Sequence, residues 1–379
     1  MRVYPRQPPL SSRRGQYANY EQVTQVTIIT KNVTSCLLLV TVCCSPSLAQ
    51  IPGETKSEVH LDARSTQATS GRSVSGLYST LLRLNSDLGN GFKLDLEAVR
   101  KDGSMFGMHD ASSAYLNKAA LDKDWGKYRT QAGIIRLPFG IYDHRETYSS
   151  GLIDYPMPRV DYGWNSVDWG VPGFQWTGGS PKLQIEAAGF NGQSTGVWAN
   201  YNRVGGAAVR MQTYNRDLVA GASHWRGYIN LPRYSPDPNN PNSYVSTYAN
   251  QDVKLYGFDV RYTRPHLLIR GELLGGVLGG QSMLGWYLDT YYHLPKYEKV
   301  TLVARLEALR PGSIQPEGRQ ATVGVRYRSS PHWTLSANYR LNNMNSAYPY
   351  SWTPYPGSGG TFLFQVYYKA GFSTGSRPK

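Results

Sequence analysis

The chain has 379 residues with 40 basic and 26 acidic side chains, 29 tyrosines, 39 glycines and three cysteines, at a mean hydropathy of −0.46. That mean, and the lack beyond the first fifty positions of any apolar run of about 18 residues, exclude membrane-spanning helices. A membrane-spanning barrel is not excluded, because every second residue of its strands faces water and the average reads as polar.

The first element in chain order is an export signal. Lys31 precedes an apolar stretch from Cys36 to Cys44, and Ser47-Leu48-Ala49 follows before Gln50. A basic flank, a short greasy segment and a small-x-small end describe a secretory signal peptide cleaved after Ala49. Residues 1–49 are therefore expected to be an N-terminal extension plus signal, with the natural start downstream of Met1, and residues 50–379 one domain. All three cysteines, Cys36, Cys43 and Cys44, fall in the removed segment. An exported chain with no cysteine has no disulfide, cysteine nucleophile or cysteine-ligated metal. From Gln50 onward it carries 35 basic and 25 acidic residues. Such a surplus suits nucleic acid, anionic headgroups or an anion-attracting pore, and export removes nucleic acid from that set.

Residues 50–76 are polar, with one possible strand in EVHLDARSTQ. Next, GLYSTLLRLNSDL sets Tyr78, Thr80, Leu82 and Leu84 against Arg83, Asn85 and Asp87. The turn GNG then leads into FKLDLEAVR, where Phe92, Leu94, Leu96 and Ala98 oppose Lys93, Asp95 and Glu97. Two alternating runs joined by a tight Asn-Gly turn predict a β-hairpin. Strands are predicted at 113–125 and 127–139, the latter ended by Pro138, which cannot donate to a ladder. Residues 141–171 form a long connection rich in Tyr, Trp, Pro and charges. A connection of this length inside a regular fold is functional or disordered, and its aromatic content points to a packed one.

The alternation continues through 172–179, 181–191, GAAVRMQTYN, 217–228, YGFDVRYTRP, HLLIRGELLG, MLGWYLDTYYHLP, VTLVARLEALRPG, GRQATVGVRYRSSP and HWTLSANYRLNN. In the last of these, Trp333, Leu335, Ala337, Tyr339 and Leu341 face away from Thr334, Ser336, Asn338, Arg340 and Asn342. The final run, TFLFQVYYKAGF, places Phe362, Phe364, Val366, Tyr368, Ala370 and Phe372 on one face. Short turns such as RPHL and SSPH alternate with long connections at 141–171, 229–251 and 343–359. The expectation is an all-β fold, a transmembrane antiparallel β-barrel of about 16 strands, with Tyr and Trp girdles (Trp125, Tyr128, Tyr262, Tyr292, Trp333) at the lipid–water boundaries.

The segment from Gly133 to Trp176 contains RLPFGIYDHRET, YPMPRVDYGW and WGVPGFQWTG. It resembles a bacterial outer-membrane porin family related to the phosphate-selective porins O and P, through Arg136, Pro138, Gly140, Tyr142, Arg145, Pro158, Tyr162 and Gly173. It departs from that family in having Asp143 where Asn is usual, and in lacking a lysine-rich ladder. The resemblance implies an outer-membrane barrel, usually trimeric, with a loop folded inward to narrow the pore. The constriction would be carried by Arg136, Tyr142, Asp143, Arg145, Glu146, Arg159 and Asp161, with Arg145 and Arg159 holding anionic groups at the neck.

Alternation alone puts Arg83, Lys93, Arg129, Arg210, Arg261, Arg270, Arg305, Arg326, Arg328 and Arg340 on the wet face. Against them stand Asp95, Glu97, Asp259, Glu272, Asp289 and Glu307. If Arg270/Glu272 and Arg305/Glu307 cancel, a modest positive surplus remains, which would enrich anions in a salt-dependent way. The expectation is passive diffusion of small hydrophilic or anionic solutes, with outer-membrane lipid as surroundings and no cofactor or enzymatic step. An exported carbohydrate-binding or adhesion module, with Tyr and Trp stacking on sugars, is the competing reading. Seven scattered histidines without HxH or HxxxH spacing give no metal motif. Ser223-His224 lacks a Gly-x-Ser-x-Gly elbow, so His224 is expected on the lumen wall. The LLGGVLGGQS glycines are expected to form a turn or bulge.

Overall fold

The computed structural model describes residues 54–68, 73–101, 113–141, 150–153, 156–160, 170–193, 203–237, 240–311, 318–343 and 359–374. They form sixteen strands: β1 (Thr55–Ala68), β2 (Ser73–Gly89), β3 (Phe92–Lys101), β4 (Ser113–Asp124), β5 (Tyr128–Arg136), β6 (Gly170–Ser180), β7 (Leu183–Gln193), β8 (Arg203–Asn215), β9 (Leu218–Asp237), β10 (Asn240–Arg264), β11 (Leu267–Leu278), β12 (Gln281–His293), β13 (Val300–Pro311), β14 (Gly318–Arg328), β15 (Trp333–Asn343) and β16 (Gly359–Thr374). One short helix, α1 (Met157–Val160), lies between β5 and β6. Each strand pairs antiparallel with its neighbours in sequence, and β1 pairs with β16, so the sheet closes into a barrel with no free edge along its wall. The proposed signal segment lies outside the described residues.

The two faces separate as the alternation predicts. Outward rows carry Leu284, Trp286 and Leu288 on β12, Leu302 and Leu306 on β13, and Phe362, Phe364 and Val366 on β16, all exposed. Inward rows carry Asp289, Arg305, Gln365 and Arg340, all buried. A soluble protein does not expose an apolar band around its whole girth. A transmembrane barrel does, because acyl chains cover it. No helix among the described residues is long and apolar enough to cross a membrane; the strands make the crossing. Leu306, 52 % exposed and flanked in the ladder by Leu288 and Ala321, sits within this band. Leu306→Lys is expected to cost about 2–4 kcal/mol of folding free energy if it lies near the bilayer midplane. Urea titration of folding into vesicles measures this, and an unchanged midpoint would remove this face from lipid.

Three local expectations change. The stretch 229–251 is not a loop: β9 has 20 residues and β10 has 25, and they pair up to Asp237 and Asn240. Pairing with β8 ends at Ile229 and pairing with β11 ends at Val253, so the outer part is a two-stranded ribbon. Pro232 and Pro236 are tolerated there because each strand has a ladder neighbour on one side only. Tyr78 does not share a face with Leu82 and Leu84. A register shift opposite Asp62 and Ala63 turns it beneath the Arg64 guanidinium, 3.8 Å from the ring centre. Of the paired glycines, Gly279 and Gly280 make the β11–β12 turn at positive φ, whereas Gly275 and Gly276 lie within β11. A Cβ on Gly276 would stand 2.0 Å from the Lys254 carbonyl oxygen.

Candidate functional site

The connection between β5 and β6 enters the barrel and is fastened to the opposite wall. Leu137 and Phe139 leave β5 and join a buried cluster with inward-facing Trp225, Ile229, Val253, Leu255 and Leu274. Gly140 N–H donates to Ser223 Oγ at 2.9 Å, and Ile141 N–H donates to Glu272 Oε1 at 2.5 Å. Further along, Leu152 packs with Tyr291 and Val303. Ile153 N–H donates to Asn338 Oδ1 at 2.9 Å, while Asn338 Nδ2 donates to the Gly151 carbonyl at 2.8 Å. Met157 N–H donates to the Glu307 carboxylate at the start of α1. Pro158 fills the notch beside Gly285, where a Cβ would lie 2.8 Å from it. A segment surrounded by wall must satisfy its backbone N–H groups there, and side chains from β9, β11, β13 and β15 do so.

Arg159 completes the attachment. It is 1 % exposed. Its Nε donates to Glu272 Oε2 at 2.8 Å and its Nη2 to Glu272 Oε1 at 2.6 Å and to the Phe139 carbonyl at 3.2 Å. Two parallel N–H···O bonds make this a fork-to-fork pair. The fit requires Gly140: at φ +69° a Cβ there would stand 1.9 Å from Arg159 Nη2 and 2.1 Å from Glu272 Oε1. Arg159, expected to meet anions at the neck, is instead folded into the seam between loop and wall.

Elsewhere on the inward wall, most charges pair across strands; Arg64 and Asp62 on β1 pair along one, at 2.7 Å. Arg270 on β11 and Arg305 on β13 both reach Asp289 on β12, at 3.1 and 2.6 Å, and Tyr291 Oη donates to the same carboxylate at 3.1 Å. The pairs expected from spacing, Arg270/Glu272 and Arg305/Glu307, give way to these because residues facing each other on neighbouring strands are closer than i and i+2. Arg210 reaches Asp259 at 2.9 Å across β9, over Gly221, where a Cβ would stand 2.6 Å from Asp259 Oδ2. Asp95 takes Lys118 at 2.8 Å and Arg83 at 3.5 Å. Arg136, at the end of β5, reaches Glu97 at 2.5 Å, with Asn117 on the same oxygen. Arg340 is buried, and Arg326 donates to Thr301 Oγ1 at 3.0 Å.

Of the ten wet-face cations predicted from alternation, four are exposed: Lys93, Arg129, Arg261 and Arg328. All lie close to the short turns. Lys93 faces Asp87 and Asp122 in the ladder, and Arg129 faces Asp124. Arg261 faces Val219 and Arg270, and Arg328 faces Thr334, so neither has an acidic ladder neighbour. Of the remaining predicted constriction residues, Tyr142, Asp143, Arg145, Glu146 and Asp161 lie outside the described residues. His224 is not on the lumen wall. It faces outward, its ring stacked on that of Tyr256 with centroids 4.6 Å apart. Among the described residues no cluster of three or more His, Cys, Asp or Glu side chains could hold a metal ion.

No family model and no curated protein matches the sequence, but solved structures match the fold. The loop L8 deletion form of OmpT, an outer membrane protein of Vibrio cholerae, superposes with a TM-score of 0.59 at 12 % identity, covering 84 % of this chain and 100 % of that one. OmpF of Salmonella typhi gives 0.57 at 11 % identity over 83 % of this chain and 97 % of its own. The anion-selective porin of Comamonas acidovorans gives 0.55 at 13 % identity over 84 % and 98 %. The shared fold is thus that of bacterial outer-membrane porins.

Proposed function

We propose that this chain is an outer-membrane porin that lets small hydrophilic solutes diffuse passively, with a weak preference for anions. The observation that carries the reading is a loop pinned inside a closed, lipid-facing barrel, which narrows a lumen whose wall is polar. In such a pore the filter is radius and charge, and no cofactor or catalytic step takes part. Because the buried wall cations Arg64, Arg210, Arg270 and Arg305 are matched by carboxylates, the anion preference is assigned to Arg261 and Arg328, exposed inward cations without acidic ladder neighbours. Arg159 acts as the fastener of the loop, and Arg145, Asp143, Glu146, Tyr142 and Asp161 complete the neck. Kinship with the phosphate-selective porins O and P rests on Arg136, Pro138, Gly140, Tyr142, Arg145, Pro158, Tyr162 and Gly173. The chain reaches the outer membrane through cleavage after Ala49, residues 50–379 form the barrel, and three copies assemble. OmpT of Vibrio cholerae has been described in a trimer form.

The test is ion selectivity in planar bilayers under a salt gradient. Arg261→Gln/Arg328→Gln is expected to move the reversal potential toward zero or to the cation side, most clearly at low salt, where exposed charges are screened least. An unchanged reversal potential would take both residues out of the filter.

A further inference from the structure

On the lipid-facing side of the wall, Arg226 of β9 and Lys254 of β10 face each other directly in the ladder, and both are exposed. Between Lys254 and the short turn, the same outward row of β10 runs through Tyr256, Phe258 and Val260, all exposed. The two cations therefore stand at the long-connection edge of the apolar band. Their next ladder neighbours are Ala207 on β8 and Val277 on β11, which offer no charge. Asp252, one step farther out on the face of Lys254, is the nearest acid in the pattern. Among the described residues neither cation has an ion pair.

The outward cations at the opposite edge are placed differently. Arg264 pairs with Asp217 at 3.2 Å and bonds Tyr262 Oη at 2.8 Å. Lys123 donates to the Asn90 carbonyl and lies 4.1 Å from the centre of the Phe92 ring. Arg264 and Lys123 are thus satisfied within the protein, whereas Arg226 and Lys254 look outward. Beside them the wall is cut back: Ala207 pairs with Gly189, and a Cβ on Gly189 would meet nothing within 4 Å.

We infer that Arg226 and Lys254 form a site for the phosphate of a lipid headgroup in the leaflet on the long-connection side. A guanidinium and an ammonium side by side give a bidentate and a point-charge donor to one phosphate, and the open ledge at Ala207 and Gly189 leaves room for the group that bears it. The site rests on the lipid-facing assignment of the wall and not on the transport reading, so conductance and lipid binding test the two separately.

The experiment is native mass spectrometry of the full chain, folded in detergent, against a diphosphorylated glucosamine lipid and its dephosphorylated form. The wild type is expected to retain the phosphorylated lipid preferentially. Arg226→Gln/Lys254→Gln is expected to lower that retention roughly tenfold or more, in line with the worth of two basic residues near a lipid surface. Arg226→Lys should keep most of it, and Lys254→Gln alone gives a second reading should the double variant fold poorly. Millimolar inorganic phosphate is expected not to displace the lipid. Equal retention by the folded double variant, or equal retention of the dephosphorylated lipid, would overturn the site. Full displacement by free phosphate would reassign it to a soluble anion and overturn the lipid assignment.

Discussion

A Glu272→Ala chain is expected to keep its barrel and lose the anchorage of its inner loop. The substitution leaves the Arg159 guanidinium buried without the carboxylate it now grips at 2.6 and 2.8 Å, and removes the acceptor of the Ile141 N–H. Breaking a buried pair from one side costs about 3–5 kcal/mol, because the remaining charge has lost its counter-charge without regaining water. The barrel wall rests on its own ladders and on outward packing, so the loss falls on the loop. Single-channel conductance should rise and become noisier, and protease should gain access to residues 137–169. The double variant Glu272→Leu/Arg159→Met should recover much of the lost stability, since an apolar replacement of both partners leaves no uncompensated charge. If Glu272→Ala leaves conductance and proteolysis unchanged, the loop is held by something other than this seam.

The second large effect is expected at Asp289. It is fully buried and serves Arg270, Arg305 and Tyr291 at once. Asp289→Asn keeps the shape but places two guanidinium groups against a neutral amide. A loss of about 3–5 kcal/mol is expected, on the same ground of buried charge left uncompensated. This time the damage is to the β11–β13 wall itself. The temperature at which the unboiled barrel converts to its denatured migration on a gel should fall. Arg305→Gln, which leaves Asp289 still paired with Arg270, should have the smaller effect. An unaltered conversion temperature in Asp289→Asn would mean that the carboxylate carries little of the wall.

Strand alternation made the barrel legible because the solvents on the two faces differ. In β15 and β16 the apolar row faces lipid and the polar row faces the lumen, so parity alone gives the face of Leu335, Arg340, Phe364 and Gln365. The same rule fails in the middle of β9 and β10, around residues 225–229 and 253–255. There the inward row holds Trp225, Ile229, Val253 and Leu255, because Leu137 and Phe139 cover it and no water reaches it. The outward row then carries His224, Arg226 and Lys254, which is why His224 is not on the lumen wall. Pro232 and Pro236 read as loop residues because a proline breaks a central ladder, but in a two-stranded ribbon each strand has a ladder on one side only. The anchoring of the loop left no local signal. Ile141 and Glu272 are 131 positions apart, and Ile153 and Asn338 are 185 apart. Only closure of the barrel brings them together. Asn338, read simply as one more polar residue of an alternating strand, turns out to hold both an N–H and a carbonyl of the loop.

The most direct measurement is the current that the purified, refolded chain passes across a planar lipid bilayer held under a potassium chloride gradient. A lumen that stays wet beside its pinned loop should give discrete steps whose size follows the bulk salt conductivity, with a reversal potential displaced to the anion side. A barrel that inserts yet leaves the bilayer silent at every voltage would contradict the account, since its loop would then seal the interior instead of narrowing it.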